Sequence, residues 1–437
     1  MLVAMTVAGS DSVGGAGVEA DLKAFASQGV HGAVALTAVT AQNTQRVAGI
    51  FPLTPRQVIA QIDAVLEDVH VSAVKTGMLY SSSVTAAVAR RLRGEGIPLV
   101  VDPVMVAGVG DSLKRGDLVE AMVKQLIPQT TILTPNIPEA ESLLGHPISD
   151  EEQARQACRE LSKMGCEAVM LKGGHLEGPT ARDFVYHSGK FLVLDYPRVN
   201  IRGHGGGCVL SSYLAANLAK GMGVWEAVVT AKGEVHRAVV GNYPVGKGVP
   251  VVNPLGSTVM DAQRYRVSTR LLNAARTLVD MLPRSWVPEV GTNFAFALPG
   301  ATNLEDICAL EGRIIGLRDR AVLTSGVGFG TSHHVASVVL AAMRHDGSMR
   351  SALNLRFSED HLQAVEKAGL TLGSFDRRDE PEGATRTMEW GTEHAIEALG
   401  SVPDAVYDRG GAGKEPMIRL LARTPEEALS KLREVIG

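Results

Sequence analysis

Three consecutive glycines, Gly205-Gly206-Gly207, stand between Arg202-Gly203-His204 and Cys208, and the run Val209 to Gly221 follows directly. Glycines in a row cannot pack a core, but they let backbone amides turn toward one point. Leu210, Leu214 and Leu218 recur at helical spacing and Gly221 is a natural stop, so the run predicts a helix opened by the glycines. The first N–H groups of such a helix face outward without a helical partner, which makes an anion site, for phosphate above all. Cys208 stands at that terminus, where a thiol is expected to acidify. A flexible linker is the plainer reading of the glycines alone. The upstream sequence decides against it.

Leu2 to Ala8 is a short apolar run that ends in the glycine-rich loop Gly9 to Gly17, and a helix follows with Leu22, Phe25 and Ala26 on one face. Further strands are expected at Val34–Val39, Ala73–Lys75, Leu99–Val101, Thr131–Leu133 and Ala168–Leu171, with helices at Pro55–Val69 and Ser81–Leu92. This alternation predicts an α/β fold, a mostly parallel sheet with helices on both faces, and ligands at the carboxyl ends of its strands. Asp102 ends one strand, Asn136 and Glu139 follow another, and Lys172 ends a third, just before Gly173-Gly174-His175. Singly these read as well as a turn former, helix caps and a solvated tip. Together at one sheet edge they favour a site. The opening loop is not a GxGxxG fingerprint and nothing fits GxxxxGK, so the later glycine run is the expected phosphate cradle.

With 437 residues, 45% of them hydrophobic, two or three domains with sizeable cores are expected. A net charge of −4 and 4% aromatic residues argue against a nucleic-acid binder. No apolar run approaches bilayer length, which argues against a membrane partner. The start lacks a basic region and Asp11 interrupts it early, so a mature cytoplasmic start is expected. Cys158, Cys166, Cys208 and Cys308 form no CxxC pair, which fits reduced thiols.

Gly241 to Pro250 and Asn253 to Ser257 break the pattern and predict a Pro/Gly-rich linker over 241–258, between a domain at 1–240 and another at 259–437. A long helix, Val259–Met281, opens the second domain. Helices are then expected at Ser332–Arg344, Ser358–Lys367 and Pro425–Val435, and strands at Ala321–Leu323 and Ala405–Tyr407, giving a second α/β layered domain. Arg313, Arg350, Arg356, Arg377, Arg378 and Arg409 lie near glycines, where arginine suits bidentate phosphate binding, although solvated salt bridges account for many surface arginines. Gly326 to His334 offers another glycine loop opening a helix. His333 and His334 do not make a metal pair, because neighbours on a helix diverge by about 100° and neither Ser337 nor Val338 is a ligand.

The first half resembles the hydroxymethylpyrimidine kinases of the ribokinase-like superfamily. The matching words are Ala8-Gly9-Ser10-Asp11, Gly14-Gly15-Ala16-Gly17, Ala20-Asp21, Thr40-Ala41-Gln42-Asn43-Thr44, Lys75-Thr76-Gly77-Met78-Leu79, Val101-Asp102-Pro103-Val104-Met105, Thr134 to Ala140 and Leu171 to His175. The resemblance implies phosphorylation of hydroxymethylpyrimidine and then of its monophosphate, with ATP as cosubstrate and Mg2+ as cofactor, in thiamine biosynthesis. It implies that Asp21 and Gln42 bond the aminopyrimidine, with Met78 near its ring. Gly205, Gly206 and Gly207, with Cys208, would form the anion hole, and Cys208 would be the base toward the substrate hydroxyl or would position it. Lys172 would neutralise phosphate, Asn136 and Glu139 would hold nucleotide and magnesium through water, and Asp102 would assist the metal. One departure is Gly206, where the family usually carries threonine. A main-chain cradle survives that change and a hydroxyl contact does not.

The second half resembles a thiamine phosphate synthase domain of the non-barrel type. The words are Pro288 to Asn293, Ser332 to Ala336, Arg350 to Arg356, Ser374 to Arg378, Tyr407 to Gly410 and Gly413 to Ile418. It implies coupling of the pyrimidine diphosphate with thiazole phosphate, giving thiamine phosphate and pyrophosphate. Arg313 would hold phosphate oxygens and His334 would bind or protonate the leaving group. Asn293, Arg350, Arg356, Arg377, Arg378, Arg409 and Lys414 would contact phosphate or substrate. A pyrimidine kinase fused to a non-catalytic sensor of thiamine phosphate is the alternative, and a vitamin-B6 kinase shares the first-half fold. The expected partners are these small molecules and a second copy in a homodimer.

Overall fold

In the strand Val3–Ala8, Val3, Met5 and Val7 pack into one core while Ala4 packs into another. The same split recurs at Val74 against Ala73, at Leu99 and Val101 against Val100, and at Val169 and Leu171 against Ala168 and Met170. Both faces of the sheet are therefore covered, which is why these strands read as unbroken apolar runs. The sheet has eight strands in the order Lys190–Pro197, Thr180–His187, Ala168–Lys172, Ile132–Leu133, Leu99–Val101, Ala73–Thr76, Val3–Ala8, His31–Leu36. All neighbours are parallel except those made by the two strands at 180–197, an antiparallel hairpin that the sequence reading missed. Helices Gly17–Ser27, Gly206–Ala219 and Val224–Val240 cover one face, and Pro55–Leu66, Ser82–Leu92, Ile137–Leu144 and Glu151–Ser162 contribute to the other core.

The computed structural model describes all residues except 108–110, 113–115, 175–177, 200–203, 382–386 and 412, so His175, Arg202 and Gly203 lie outside the described residues. The chain divides into two units, Met1–Val259 and Met260–Gly437. The expected linker at 241–258 is not a free tether. Tyr243 and His204 each form a bridge with Val251, Val251 and Val252 are buried, and Val249 N–H donates to Thr44 O at 3.0 Å. Backbone pairing and two buried valines outweigh the Pro/Gly composition, so the segment straps onto the first unit. The expected strand Val34–Val39 is also two: His31–Leu36 joins the main sheet, and Ala38–Gln42 pairs with Val47–Pro52 in a separate hairpin.

The second unit has a seven-stranded sheet in the order Val327–Phe329, Ile307–Leu310, Phe294–Ala297, Ser351–Arg356, Met417–Ala422, Ala405–Asp408, Leu372–Ser374. Every pair is antiparallel except the last. Helices Gly256–Met281 and Pro425–Ile436 pack into one core, and His334–His345 with Thr387–Leu399 into the other. No helix among the described residues is long and apolar enough to cross a membrane.

Helix Gly206–Ala219 lies at the centre of the first unit. Every residue from Val209 to Ala219 is buried, rather than the single stripe its leucines suggest, because the sheet and two helices enclose it. It starts at Gly205, whose φ of +93° favours glycine and whose missing Cβ would stand 1.8 Å from Gly15 O. Gly206 has nothing within 4 Å of its Cβ position. Gly205→Ala is expected to destabilise the first unit by about 1–3 kcal/mol, while Gly206→Ala is close to neutral. Denaturant unfolding of both variants checks this, and equal stabilities would contradict the close approach of the two loops.

Candidate active sites

The first site forms where the strand ends meet the helix that starts at Gly206. The first helical bond runs from Val209 N–H to Gly205 O at 3.0 Å, which leaves the amides of Gly206, Gly207 and Cys208 outside the helical ladder, and no side chain caps them. A Cβ on Gly207 would stand 3.2 Å from Lys172 Nζ and 3.4 Å from Asp102 Oδ2. Lys172 Nζ lies 2.8 Å from Asp102 Oδ1 and 3.8 Å from Glu139 Oε2. Burial works against the Lys172 charge, but Asp102 and then Glu139 outweigh it and hold its pKa above the ordinary value. Burial pushes the Glu139 carboxyl up to about 7; Lys172 opposes this and Asp102 adds to it. Asn136 and Glu139 form a reciprocal cap of the helix Ile137–Leu144, at 2.8 Å in each direction. Asn136 Oδ1 is thus taken by the Glu139 amide, and Asn136 bears on the site by fixing Glu139.

Beside this cluster runs a slot of about 70 Å³ walled by Gly9, Asp11, Gln42, Lys75, Met78, Val104, His204 and Cys208, among others. Gln42 and Met78 stand where the sequence expected a substrate pocket. Asp21 does not. Its carboxylate is fully buried and accepts from Thr6 Oγ1 at 2.6 Å, Ser212 Oγ at 2.7 Å and Lys75 Nζ at 2.8 and 2.7 Å. With its acceptor positions filled from within, Asp21 anchors Lys75 beneath the slot and does not reach a pyrimidine. Lys75 is fully buried, and burial works against its charge, but the charge of Asp21 first, then those of Cys208 and Asp102, holds its pKa above the ordinary value.

The expected acidification of Cys208 is also overturned. Burial pushes the thiol up to about 11; Lys75 pulls it down, and Asp21 and Asp102 push it further up. Desolvation of the sulfur and the two carboxylates together outweigh Lys75, the one cation beside it. Two residues quoted in motifs but not assigned a role tie the loops together. Asp11 Oδ2 accepts from Gly15 N–H at 3.0 Å, Ala16 N–H at 2.8 Å and His204 Nε2 at 3.0 Å. Burial raises the pKa of Asp11, but these bonds, that to His204 first, hold it below the ordinary carboxylate value. His204 Nε2 also lies 2.9 Å from Gln42 Nε2; with Nε2–H given to Asp11, this contact brings the glutamine amide beside the ring without a hydrogen bond from that nitrogen.

The second site is a cavity of about 620 Å³ in the second unit. Asn293, Arg313, His334, Arg377 and Lys414 line it, as does Arg419, which the sequence reading passed over. Asn293 Nδ2 donates to Leu310 O and Gly312 O at 3.1 and 3.2 Å, which pins the loop that carries Arg313. Partial burial first, then Arg313, Arg419 and Arg377, holds the pKa of His334 below the ordinary imidazole value. This weights His334 toward its neutral form, which offers a hydrogen bond. Four expected phosphate contacts lie elsewhere. Arg350 donates to Ala297 O and covers the Phe296 ring; Arg378 pairs with Asp376 and Arg409 with Glu359 on the surface; Arg356 is exposed and off the cavity wall. For Arg350, Arg378 and Arg409, a nearby carboxylate or carbonyl captured the guanidinium that a glycine-rich context had suggested for phosphate.

Two families match the chain: phosphomethylpyrimidine kinase over residues 11–253 and thiamine-phosphate synthase ThiN over residues 270–434. The bifunctional thiamine biosynthesis protein ThiDN of Methanocaldococcus jannaschii is 30% identical over 436 residues, which cover all of this chain and 98% of the relative. The chain belongs to the ThiDN family. It is a bifunctional enzyme of thiamine biosynthesis, with kinase and thiamine-phosphate synthase activities, and the sensor alternative is not favoured. The hydroxymethylpyrimidine/phosphomethylpyrimidine kinase of Rhizobium meliloti is 45% identical over 240 residues, covering 54% of this chain and 90% of the relative. An ADP complex of Bacillus subtilis pyridoxal kinase is similar in structure, with a TM-score of 0.56 and 30% identity, over 59% of this chain and all of that one. The first unit therefore has the ribokinase-like fold of these kinases.

If Asp21 anchors Lys75, Asp21→Ala strands a buried ammonium and should destabilise the first unit by about 3–5 kcal/mol. A substrate ligand at that position would instead raise KM and leave stability unchanged. Denaturant unfolding alongside the KM for hydroxymethylpyrimidine separates the two.

Proposed function

We propose that the first site transfers the γ-phosphoryl group of ATP to hydroxymethylpyrimidine and to its monophosphate, at the open amides of Gly206, Gly207 and Cys208. The observation that carries this is the juxtaposition of that helix terminus with Lys172, Asp102 and Glu139 on one side and the Gln42–Met78 slot on the other. Phosphoryl transfer asks a protein for position and charge more than for covalent help. The amides grip the transferring group, Lys172 balances its charge, Gln42 reads the edge of the heterocycle and Met78 covers its face. A cradle made of main-chain amides accounts for the tolerance of glycine at 206.

The carboxylates fit a magnesium ion that arrives with nucleotide. Asp102 and Glu139 both lie beside Lys172, next to Gly207, and no group of three or more ligands occurs among the described residues. Magnesium commonly uses one or two carboxylates and fills its remaining positions with phosphate and water. Asp102 and Glu139 would hold such an ion, which would supply charge neutralisation to the phosphates, while Asn136 keeps Glu139 in place.

Cys208 is better suited to hold the substrate hydroxyl as a neutral thiol than to remove its proton, given its raised pKa. A thiolate base would make phosphorylation climb about tenfold per pH unit between roughly pH 7 and 9, whereas a positioning thiol gives a flat profile. Cys208→Ser should then retain activity within about tenfold, and Cys208→Ala should lose roughly 10- to 100-fold, with coupling of supplied pyrimidine diphosphate unchanged in both. A climbing profile or an inactive serine variant contradicts positioning.

In the second unit, Arg313 and His334 hold the phosphate oxygens of the pyrimidine diphosphate while the developing methylene cation meets the thiazole nitrogen. Pyrophosphate leaves on positive groups and neutral hydrogen-bond donors. Arg313→Ala and His334→Ala should each lower coupling by about 100-fold or more and spare phosphorylation. The whole reading is tested by giving the purified chain ATP, magnesium, hydroxymethylpyrimidine and thiazole phosphate. Thiamine phosphate should form without a helper enzyme, and its absence counts against the joined activities.

A further inference from the structure

Strand Met417–Ala422 lies inside the second sheet, between Ser351–Arg356 and Ala405–Asp408. Its run Met417-Ile418-Arg419-Leu420-Leu421-Ala422 is apolar except for one arginine, whose side chain is 4% exposed. Arg419 Nη2 lies 2.8 Å from Asp408 Oδ2. The same carboxylate, wholly buried, takes Arg377 through Nε at 2.6 Å and Nη2 at 3.2 Å. One carboxylate thus holds two guanidiniums and leaves one positive charge over. A structural ion pair needs only one of them.

The excess lies at a cavity wall. Arg419 Nη1 is buried and has no hydrogen-bond partner among the described residues, and Arg419 and Arg377 both line the 620 Å³ cavity. A buried donor left unpaired costs free energy unless something outside the chain completes it. The same wall carries the start of helix His334–His345, which no side chain caps, so its first amides add donors there. The wall also carries two carboxylates, Glu311 and Glu415, of which Glu415 is engaged by the amides of Glu289 and Val290; against them stand Arg313, Arg377, Lys414 and Arg419 on the same wall.

We propose that Arg419, held by Asp408 beside Arg377, binds the phosphoryl oxygens of a ligand in the synthase cavity through its free Nη1. This deepens the synthase reading of the second unit and rests on it. Two species in the reaction carry such oxygens, the leaving pyrophosphate and the phosphate of the thiazole. Placement on a central strand gives the donor a fixed position that a loop arginine lacks.

The test uses the full chain with Arg419→Lys. Lysine can keep the ion pair with Asp408 but has no second branch to offer. Coupling of supplied pyrimidine diphosphate is followed, with the KM for thiazole phosphate and the inhibition constant of inorganic pyrophosphate as separate readouts. Phosphorylation by the first unit checks that the chain is intact. The expected result is an unchanged unfolding midpoint with one of the two constants weakened by roughly 10- to 100-fold. A weaker KM assigns the thiazole phosphate, and weaker inhibition assigns the leaving group. Wild-type values for both overturn the proposal. If lysine at 419 unfolds the second unit, the arginine side-chain NMR signals of the wild-type chain are followed on adding inorganic pyrophosphate or thiazole phosphate, and an Arg419 signal that moves with neither overturns the proposal equally. A wild-type chain that forms no thiamine phosphate overturns the synthase reading and the proposal with it, which is distinct from an active wild type with an indifferent variant.

Discussion

Two charges placed where water cannot reach them constrain much of this molecule. Lys75 and Asp21 are both fully buried, beneath the slot that ends at Cys208. Neither tolerates burial alone, and together they still need Thr6 and Ser212 to complete the carboxylate. Those partners come from the first strand, the first helix, the strand Ala73–Thr76 and the central helix. One ion pair therefore requires four elements to meet in one register. It also places a cation and an anion near the thiol. Burial has already raised the thiol's pKa, and the opposed charges of the pair partly offset each other there. The Asp408 cluster does similar work in the second unit, joining the strand that ends at 408 to the strand that carries Arg419 and to the turn at Arg377–Asp379.

A second constraint is the close approach of two glycine loops. Gly15 can take no Cβ without meeting His204 and Val251, and Gly205 none without meeting Gly15 O. Backbone in contact with backbone allows Asp11 to bond both loops at once, through the amides of Gly15 and Ala16 and through His204. The consequence reaches Gln42, which His204 contacts from the other side. Hairpin, opening loop, helix start and strap at 251 thus form one connected polar network around the slot. The flat edge of a heterocycle and the oxygens of a phosphate would meet groups whose positions are set by the same few bonds.

The parallel sheet was legible because burial on both faces leaves apolar runs that need no periodicity to be seen, and because glycine and proline punctuate them. The hairpin at 180–197 was not. Its two strands pair antiparallel through a tight turn at the edge of the sheet, outside the strand–helix alternation that marks the parallel strands. The strap at 241–258 was misread for a related reason. Composition reports the local freedom of a chain, whereas Val251 and Val252 are held by partners far away in sequence. In the second unit the helices expected at Ser358–Lys367 and Pro425–Val435 are present, capped by the hydroxyls of Ser358 and Thr424, but strand order depends on pairings across more than 60 residues, such as Ala352 with Leu421.

The site residues divide along a physical line. Gln42, Met78, Lys172, Asp102 and Glu139 lie at the ends of strands or in the segments after them, which is what let the sequence offer them as candidates. For surface arginines a glycine-rich context says less, because a guanidinium pairs with a nearby carboxylate, as Arg409 does with Glu359 and Arg378 with Asp376. Lys75 and Arg419 were overlooked, although each carries a readable mark: a single cation inside a strand whose other residues are buried or apolar. Such a cation cannot snorkel to water from the middle of a sheet covered on both faces. It must have a buried anion within the fold. Lys75 places two of its three N–H donors on the oxygens of Asp21, its counter-ion, whereas Arg419 shares Asp408 with Arg377 and keeps one nitrogen, Nη1, without a partner among the described residues.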